Sequence, residues 1–333
     1  MMRAAQTDAR LAALESAAGA SEPELSVVVP AFNEEESLDA LLAAIVGALD
    51  GAGTTFELVI VDDGSADGTW SRMSAAAQRD PRIVAVSLSR NFGHQSALLA
   101  GLSIARGRAV VSMDADLQHP PAVIPEMLAA WRAGAAVVRT VRRDAGRTSP
   151  FKRISSRNFY RLFSYLTGIP MSAGTSDFRL LDRRVLDELL HLRHRDLFLR
   201  GSIEWLGFRQ VTIEFDVAAR HAGVSKYTLR RMLAFAAGAV ISFSTKPLQL
   251  GIWLGLGTSL LALAEIAYAI LQYARGATVP GWASLTAVVS FLFGVLFIVL
   301  GVIGVYIARI HDILQNRPPF VIDMITRGPD GDR

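Results

Sequence analysis

Two carboxylates separated by a single residue, Asp114 and Asp116, lie in the run Met113-Asp114-Ala115-Asp116-Leu117-Gln118. The apolar residues before them predict a β-strand, and side chains two residues apart in an extended segment project to the same side. We therefore expect the two carboxylates to converge on one hard cation, Mg2+ or Mn2+. Such a cation neutralises the charge of a departing diphosphate, so the pair predicts metal-assisted group transfer. The same spacing also occurs in solvated loops, but a position directly after a strand favours the metal site.

Polar residues also follow the first two predicted strands, in Pro30-Ala31-Phe32-Asn33-Glu34-Glu35 and in Asp62-Asp63-Gly64-Ser65. Their carboxylates and amides can hydrogen-bond a ribose and a base. A dehydrogenase is disfavoured, because the Gly-x-Gly-x-x-Gly turn is missing and three consecutive glutamates would repel a pyrophosphate. The alternative is that Asn33, Ser65 or Asp67 only caps a helix, since these residue types are preferred at helix starts.

The elements that position these residues alternate along the chain. From Leu25 onwards, short β-rich runs alternate with amphipathic helical stretches, which predicts a parallel sheet covered by helices. The predicted strands are Leu25–Val29, Phe56–Val61, Ile83–Leu88, Ala109–Met113 and Ala135–Arg139. The predicted helices are Glu35–Leu49, Gly68–Gln78, Gln95–Ala105 and Pro121–Trp131. After Arg139 the alternation fades. Ligands on such sheets bind beyond the carboxyl ends of the strands, where the polar residues above lie.

The composition indicates a membrane-associated chain in a reducing compartment. Of the 333 residues, 51% are hydrophobic, and the excess is concentrated after Pro247. Cysteine is absent, which excludes disulfides, thiolate metal sites and cysteine nucleophiles. Two apolar stretches, Leu248–Tyr273 and Leu285–Ile307, are each longer than the ~20 helical residues that cross a bilayer. They predict two transmembrane helices, with two buried core helices as the alternative.

Charges around these stretches predict their orientation. Arg230, Arg231 and Lys246 precede the first stretch, and Arg309 and Arg317 follow the second. The short connector between the stretches carries one basic residue. By the positive-inside rule, we expect both termini and the catalytic part in the cytoplasm, with the helices in the inner membrane.

A basic cluster follows the fifth predicted strand. Opposed only by Asp144, it consists of Arg139, Arg142, Arg143, Arg147, Lys152, Arg153, Arg157 and Arg161. Such a cluster suits phosphates or anionic lipid headgroups. Two segments, Phe151–Leu166 and Tyr227–Ser244, have the pattern of amphipathic helices that lie against a membrane.

The chain also carries seven stretches that occur together in one enzyme family. They are VVVPAFNEEESL, VDDGSADGT, SRNFGHQSALLAGL, MDADLQHPP, TSDFRLLDRRV, RGSIEWLGFRQ and AGVSKY. With the two apolar stretches they cover nearly everything from Leu25 to Pro319, and they resemble the family-2 glycosyltransferases of the polyprenyl-phosphate hexose synthase type, which include dolichol-phosphate mannose synthase. The resemblance implies a GT-A fold, which is a Rossmann-like, mostly parallel α/β sheet with helices on both faces. It also implies a nucleotide-diphosphate sugar donor, a divalent metal and inversion at the anomeric carbon.

The resemblance assigns roles to residues at the predicted strand ends. Those that match a nucleoside pocket are Pro30, Asn33, Glu34 and Asp62. Those that match the ligands of the metal and the diphosphate are Asp114, Asp116 and Gln118. The match departs after the fifth strand, where the family implies a small residue near Arg139. Which of Arg139, Arg142 and Arg143 binds phosphate therefore stays open.

The acceptor implied by the resemblance is a phosphate monoester, which is largely anionic at neutral pH because its second pKa lies near ~6. It hardly needs a general base, so the enzyme must position the acceptor oxygen and stabilise the leaving diphosphate. We expect Arg142 and Arg153 to contact the acceptor, because guanidinium groups suit phosphate oxygens. Arg220 and Lys226 are expected on the donor diphosphate or on a closing loop.

Asp177, in the run Thr175-Ser176-Asp177-Phe178-Arg179, matches a position proposed as a base in this family. We expect it to orient the sugar or the acceptor, with a base role as the alternative. His94, His119 and His221 are interpreted as hydrogen-bonding or surface residues, because no carboxylate or second histidine is spaced to form a site with them.

The expected organisation has five parts. They are a disordered leader at 1–24, a catalytic domain at 25–226, an amphipathic segment at 227–246, two transmembrane helices at 247–310 and a cytoplasmic tail at 311–333. The spans are expected to contribute no strand to the sheet, so truncation before Pro247 is expected to leave a domain that still binds nucleotide but no longer transfers sugar to a long-chain lipid. Gly251, Gly255 and Gly257 allow close helix packing, and a homo-oligomer is expected.

The predicted function is transfer of a hexose to polyprenyl phosphate, such as undecaprenyl phosphate, with UDP-glucose as the favoured donor. GDP-mannose and a UDP-linked aminosugar, such as formamido-arabinose, are the alternative donors. A processive polysaccharide synthase is disfavoured, because two helices cannot enclose a polymer and the sequence has no Gln-x-x-Arg-Trp motif. A non-catalytic scaffold is disfavoured because both aspartates are present. The expected partners are the donor, the lipid phosphate and the bilayer, and no nucleic acid is expected.

Overall fold

The computed structural model describes residues 22–142, 175–192, 198–216, 246–275, 281–315 and 317–328. They form two compact units, one built on a sheet and one on two long helices. The strands of the sheet are β1 (Leu25–Ala31), β2 (Phe56–Asp62), β3 (Ile83–Leu88), β4 (Ala109–Ser112), β5 (Val137–Arg142), β6 (Thr175–Asp182), β7 (Gln210–Phe215) and β8 (Ile322–Arg327). Their order across the sheet is β7-β5-β6-β4-β1-β2-β3-β8.

The centre of the sheet is parallel. β1 pairs in parallel with β2 and β4, and β2 pairs in parallel with β3. β6 runs antiparallel between β4 and β5, with Arg179 opposite Ser112, and β7 is parallel to β5. Because β6 is antiparallel, its first residues lie at the edge where the carboxyl ends of β1, β2 and β4 meet. The mostly parallel sheet is confirmed.

Helices cover both faces of this sheet. They are α1 (Leu38–Gly51), α2 (Thr69–Arg79), α3 (His94–Ile104), α4 (Ile124–Arg132), α5 (Arg183–His191) and α6 (Leu199–Trp205). Residues of α1, α2 and α4 pack with alternate strand residues, such as Val27, on one face. Residues of α3, α5 and α6 pack with Val28 and its neighbours on the other face. Burial on both faces explains why the central strands are apolar in succession instead of alternating.

The five predicted strands and four predicted helices all exist in the structure. The expectation that the alternation fades after Arg139 is wrong, because β5 continues to Arg142 and β6, α5, α6 and β7 also belong to the sheet unit. β6 breaks the apolar pattern because it buries two charged residues, Asp177 and Arg179. β7 lies at the end of the strand order and alternates exposed with buried residues, which gives a weaker signal.

The strand β8 follows both apolar helices in sequence and yet belongs to the sheet. It pairs antiparallel with β3, with Val84 opposite Arg327 and Val86 opposite Ile325. At the end of β8, a Cβ on Gly328 would lie 2.8 Å from Pro81 Cα, so the close approach there requires glycine. The expected tail therefore contains a strand of the sheet. The two apolar helices themselves contribute no strand, as expected, but truncation before Pro247 would also remove β8 from the edge of the sheet. Nucleotide binding by the truncated chain stays a prediction.

The second unit contains two long helices, α7 (Lys246–Ala274) and α8 (Trp282–Gln315), of 29 and 34 residues. Each contains a stretch long and apolar enough to cross a membrane, Leu248–Gln272 and Phe291–Gln315, and neither stretch is buried within the structure. The prediction of two candidate transmembrane helices is confirmed by length and composition, and the core-helix alternative does not fit their exposure. The leader at 1–21 and the amphipathic segments Phe151–Leu166 and Tyr227–Ser244 lie outside the described residues.

Candidate active site

The loop after β4 carries the predicted metal ligands. β4 ends at Ser112, so Asp114 and Asp116 lie in a bent loop, and the expected extended segment is wrong. The bend includes Leu117, whose φ of 58° is in the left-handed region. Asp114 Oδ1 is buried and has no hydrogen-bond partner among the described residues. His94 Nε2 lies 3.3 Å from this oxygen but outside hydrogen-bonding geometry.

Asp116 and Gln118 lie in the same loop. The backbone N–H of Gln118 donates to Asp116 Oδ1 at 3.1 Å, and the Gln118 side chain is buried. The Asp116 side chain is exposed. The three residues predicted to hold the metal and the diphosphate therefore lie together, with one buried carboxylate oxygen on Asp114 and an accessible carboxylate on Asp116.

A divalent cation fits this donor set. In the part of the chain that the structure describes, no group of three or more His, Asp or Glu side chains could hold a metal ion by itself. Mg2+ is usually bound through only one or two carboxylates together with substrate phosphates, so two aspartates are enough once a diphosphate supplies oxygens. The orphaned Asp114 Oδ1 is a buried acceptor that a cation would satisfy.

His119 is fully buried next to this loop. Its Nδ1 accepts a hydrogen bond from the backbone N–H of Asp114 at 3.0 Å, and its Nε2 lies 2.6 Å from Ser176 Oγ. Since a backbone N–H can only donate, Nδ1 is unprotonated and Nε2 carries the proton. Nδ1 also lies 3.6 Å from Asp114 Oδ2, but without a proton it donates nothing to that oxygen. The interpretation of His119 as a hydrogen-bonding residue is confirmed.

The environment of His119 keeps its ring neutral. The ring stacks on Phe178, with centroids 5.1 Å apart, and meets Phe215 edge-on at 6.0 Å. Burial lowers the pKa of His119, against the opposing charges of the nearby aspartates.

Asp177 lies at the start of β6 and is buried and fully paired. Arg200 Nε and Nη2 donate to its two carboxylate oxygens at 2.7 and 2.8 Å. Gln95 Nε2 donates to it at 3.2 Å, and Arg179 Nη2 lies 3.4 Å from its Oδ1. Burial by itself raises the pKa of Asp177, but the hydrogen bonds and charge of Arg200 and the charge of Arg179 lower it well below its ordinary value. A carboxylate held anionic in this way is a poor proton acceptor.

Sequence reasoning missed Arg200 and underestimated His94. Arg200 lies in RGSIEWLGFRQ, but no spacing linked it to Asp177. His94 Nε2 lies 3.3 Å from Asp114 Oδ1 and 3.9 Å from Asp177 Oδ2. The statement that no carboxylate is placed to form a site with His94 is therefore wrong. Asp114 follows β4 and Asp177 lies in β6, whereas His94 begins α3. The order of the strands in the sheet brings the two carboxylates close to His94, so their proximity cannot be read from the local sequence.

The loops after β1 and β2 are joined by Asn33 and Ser65. The Asn33 backbone N–H donates to Ser65 Oγ at 2.9 Å, and the Ala66 N–H donates to Asn33 Oδ1 at 2.9 Å. Asn33 has a φ of 55°, which asparagine tolerates better than most residues. Asp62 is buried and accepts from the Ser65 N–H at 3.1 Å. Neither Asn33 nor Ser65 caps α1 or α2, so the pure capping interpretation is wrong for these two.

The remaining residues of the predicted nucleoside pocket lie in the same loops. Pro30 is buried within β1. The Glu34 N–H donates to Thr69 Oγ1 at 3.0 Å, and Ser37 Oγ donates to Glu34 Oε2 at 2.6 Å. Asp67 Oδ1 accepts from the N–H of Thr69, the first residue of α2, at 3.0 Å, and its Oδ2 accepts from the Glu35 N–H at 3.3 Å, so its role is not purely that of a cap. Glu34 and Asp67 thus help to fix the two loops against each other.

Asp63 positions the segment that carries His94. Its two oxygens accept from the backbone N–H groups of Phe92 and Gly93 at 2.7 and 2.9 Å. Burial raises the pKa of Asp63, although both of these hydrogen bonds act to lower it. Gly64, with a φ of 70°, allows the approach, because a Cβ there would lie 2.6 Å from the backbone of the same segment. The start of α3 is therefore fixed to the end of β2.

Two of the predicted phosphate-binding arginines lie within the described residues. Arg139 Nε donates to Thr212 Oγ1 at 2.7 Å, and its Nη1 lies 3.7 Å from Glu204, so Arg139 is engaged within the sheet unit. Arg142 ends β5 at the carboxyl-end edge and is close enough for its charge to lower the pKa of His119. Arg142 is the better placed of the two. The residues outside the described ranges are Arg143, Arg153, Arg220, Lys226 and His221.

Known proteins resemble this chain in sequence. The model of the family "Glycosyl transferase family 2" matches residues 26–190. The chain is 38% identical over 300 residues to the uncharacterized glycosyltransferase YkcC of Bacillus subtilis, covering 89% of this chain and 92% of that protein. It is 36% identical over 305 residues to the SfII prophage-derived bactoprenol glucosyl transferase of Shigella flexneri, covering 91% of this chain and 99% of that protein.

Among solved structures, a glucosyl-3-phosphoglycerate synthase from Mycobacterium tuberculosis in complex with phosphoglyceric acid aligns with a TM-score of 0.45. That alignment has 20% identity and covers 70% of this chain and 82% of the synthase. The family membership rests instead on the sequence relatives, which align over nearly the whole chain. This chain belongs to glycosyl transferase family 2 and is a glycosyltransferase.

Proposed function

We propose that the chain transfers a hexose from a nucleotide-diphosphate sugar to polyprenyl phosphate, with inversion at the anomeric carbon and UDP-glucose as the favoured donor. The observation that carries the proposal is the alignment with a bactoprenol glucosyl transferase over 99% of that protein, including the apolar helices. The paired aspartates at the strand edge agree with it. GDP-mannose and a UDP-aminosugar are the alternative donors.

The donor is assigned to the loops after β1, β2 and β4. Asp114, Asp116 and Gln118 would hold Mg2+ or Mn2+ together with the diphosphate, and the nucleoside would contact Pro30, Asn33, Glu34 and Asp62. When bound, the cation neutralises the charge that develops on the leaving diphosphate. The hydrogen bonds of Asn33 with Ser65 and Ala66 hold these two loops together, so little ordering would be needed when the donor binds.

We assign the acceptor phosphate to Arg142 and Arg153 of the basic cluster. A phosphate monoester is already largely anionic at neutral pH, so these cations have to orient its oxygen and need not remove a proton. The state of Asp177 is consistent with this mechanism, because the two hydrogen bonds from Arg200 keep its carboxylate anionic and occupy both of its oxygens. We assign Asp177 to positioning, with Arg220 and Lys226 on the donor diphosphate or a closing loop.

The two apolar helices support placement in a membrane, where a long-chain acceptor would be available. By the positive-inside rule, the flanking basic residues support a cytoplasmic position for both termini and the sheet unit, at the inner membrane. We retain the boundaries 25–226 for the catalytic domain and 247–310 for the spans, and we add β8 to the catalytic domain. Assembly into a homo-oligomer stays a prediction.

The full-length protein in detergent, incubated with undecaprenyl phosphate and radiolabelled UDP-glucose, GDP-mannose or a UDP-aminosugar, tests the proposal. We expect labelled lipid from UDP-glucose, with loss of the product in excess chelator and recovery with Mn2+ or Mg2+. Asp116→Asn should abolish transfer while expression and membrane insertion persist, because a neutral amide holds the cation poorly. Label transfer that survives chelation would overturn the metal assignment. Label that never reaches the lipid from any donor would overturn the acceptor.

A further inference from the structure

The backbone of Asp114 is held by a side chain that has no contact with solvent. His119 is 0% exposed, and its Nδ1 accepts the Asp114 N–H at 3.0 Å. The loop between the two residues turns through the left-handed conformation of Leu117, which allows His119 to reach a residue five positions earlier. The unpaired oxygen of Asp114 is therefore carried on a backbone whose orientation depends on His119.

The other side of the imidazole is fixed to β6. His119 Nε2 donates to Ser176 Oγ at 2.6 Å, and the same Oγ accepts from the Phe178 N–H at 3.2 Å. A second bond runs in parallel, since Ser112 Oγ donates to the Asp177 carbonyl at 2.6 Å. Each ring nitrogen of His119 thus has one partner with a defined direction.

The geometry points to His119 as a positioning residue that, as the Nε2–H tautomer, joins the aspartate loop to β6 and fixes the direction of the Asp114 carboxylate. The inference rests on the proposed function, because it assigns the cation to Asp114. Both ring nitrogens are occupied, so His119 acts through hydrogen bonds and transfers no proton. Groups that orient metal ligands in this way typically change metal affinity about 10- to 100-fold when they are removed.

Mn2+ binding measured by electron paramagnetic resonance, on the full-length protein with UDP or GDP and without acceptor, tests this inference separately from turnover. His119→Phe retains an aromatic ring but loses both hydrogen bonds, and we expect its Kd for Mn2+ to rise at least tenfold. His119→Gln should weaken binding similarly, because its amide nitrogen reaches the Ser176 side only. His119→Asn should bind Mn2+ more tightly than His119→Gln does, because the shorter Asn side chain brings its amide oxygen close enough to accept the Asp114 N–H.

Ser176→Ala retains the imidazole and removes only the bond to β6, and we expect it to fold and to bind Mn2+ several-fold more weakly. Phe178→Leu is the matched packing control, which should lower the Tm without changing the Mn2+ affinity. Wild-type affinity in His119→Gln and Ser176→Ala would overturn the inference. An equal loss in Phe178→Leu would also overturn it, because packing would then suffice. Absence of Mn2+ binding by the wild-type protein would instead overturn the proposed metal site itself.

Discussion

The loop after β4 and the start of β6 each present an aspartate to the same edge of the sheet, but in opposite states. Asp177 on β6 has both oxygens engaged by Arg200 and further contacts from Gln95 and Arg179. Asp114 in the β4 loop has a buried oxygen without a hydrogen bond among the described residues. A carboxylate whose two oxygens are hydrogen-bonded within the protein is well suited to a structural role, whereas a buried oxygen without a hydrogen bond can accept a cation. This difference supports our proposal that Asp177 positions the site and that Asp114 binds the cation.

Between the two compared aspartates, substitution of Asp114 is expected to have the larger effect on activity. Asp114→Asn should lower kcat/KM on the order of a thousandfold, because the amide loses the charge that holds the cation, while the fold is retained. Initial rates with donor and undecaprenyl phosphate measure this effect. Asp39→Asn, which removes an exposed charge paired with Arg72, is the matched control and should keep wild-type rates. A loss of less than tenfold in Asp114→Asn would break the comparison.

Removal of Arg200 should act on stability as well as on activity. Arg200→Met leaves Asp177 buried and short of its main partner. Because Arg200 itself is 37% exposed, we expect a cost above that of a surface pair, about 0–1 kcal/mol, and below the about 3 kcal/mol or more of a fully buried pair. Thermal unfolding in detergent should show a markedly lower Tm. The double variant Arg200→Met with Asp177→Asn should recover much of it, since no buried charge is then unpaired.

Arg72→Met is the surface control for this experiment, and exposed pairs contribute about 0–1 kcal/mol. If Arg200→Met is no more damaging than Arg72→Met, Asp177 is not held as the structure indicates.

Arg153→Ala sharpens the comparison on the acceptor side. The apparent KM for lipid phosphate should rise much more than the KM for the sugar nucleotide, with a loss of roughly 10- to 100-fold in kcat/KM, as expected for a charge-assisted phosphate contact. Arg153→Lys should recover part of this loss, because a point charge lacks the guanidinium fork. Lys152→Ala is the neighbouring control. An increase confined to the donor KM would move Arg153 to the diphosphate.

Acid stability provides the smallest of these effects. The folded-state pKa of Asp177 is depressed, so its ion pairs contribute fully above the unfolded-state pKa of about 3.9 and are lost progressively at lower pH. The Tm of the wild-type protein should therefore fall below about pH 4 more steeply than that of Asp177→Asn, and the difference between them should be constant from about pH 5 to 8. Parallel Tm curves below pH 4 would contradict the depressed pKa.

Much of the sheet was predictable because both of its faces are buried. Runs such as Leu25–Ala31 and Ile83–Leu88 are buried throughout, and their apolar residues mark them as strands. β6 escaped prediction because Asp177 and Arg179 interrupt its apolar pattern, and the buried charge of Asp177 is compensated by Arg200, which lies in another element. β8 escaped because its strand partner lies far away in sequence.

The candidate site was predictable where ligands and motifs are local, as in Asp114, Asp116 and Gln118. The sequence could not show that Asp114 has an unpaired oxygen or that Asp177 is saturated, because those states depend on contacts between β2, α3, β4, β6 and α6. The position of His94 near both aspartates and the position of His119 next to Asp114 depend on the same contacts between elements. The sequence shows which residue types are present, but which of their atoms have hydrogen-bond partners depends on the order of the strands in the sheet.

The pairing of β8 with β3 has a consequence for synthesis of the chain. All residues between Leu88 and Ile322, including both apolar helices, must be translated before the free side of β3 can be covered. At a translation rate of about 5–20 residues per second, the nascent sheet keeps an open edge for on the order of tens of seconds. An unpaired edge strand can pair with other chains, so the time needed to translate the residues between β3 and β8 sets the period in which nascent chains can associate incorrectly.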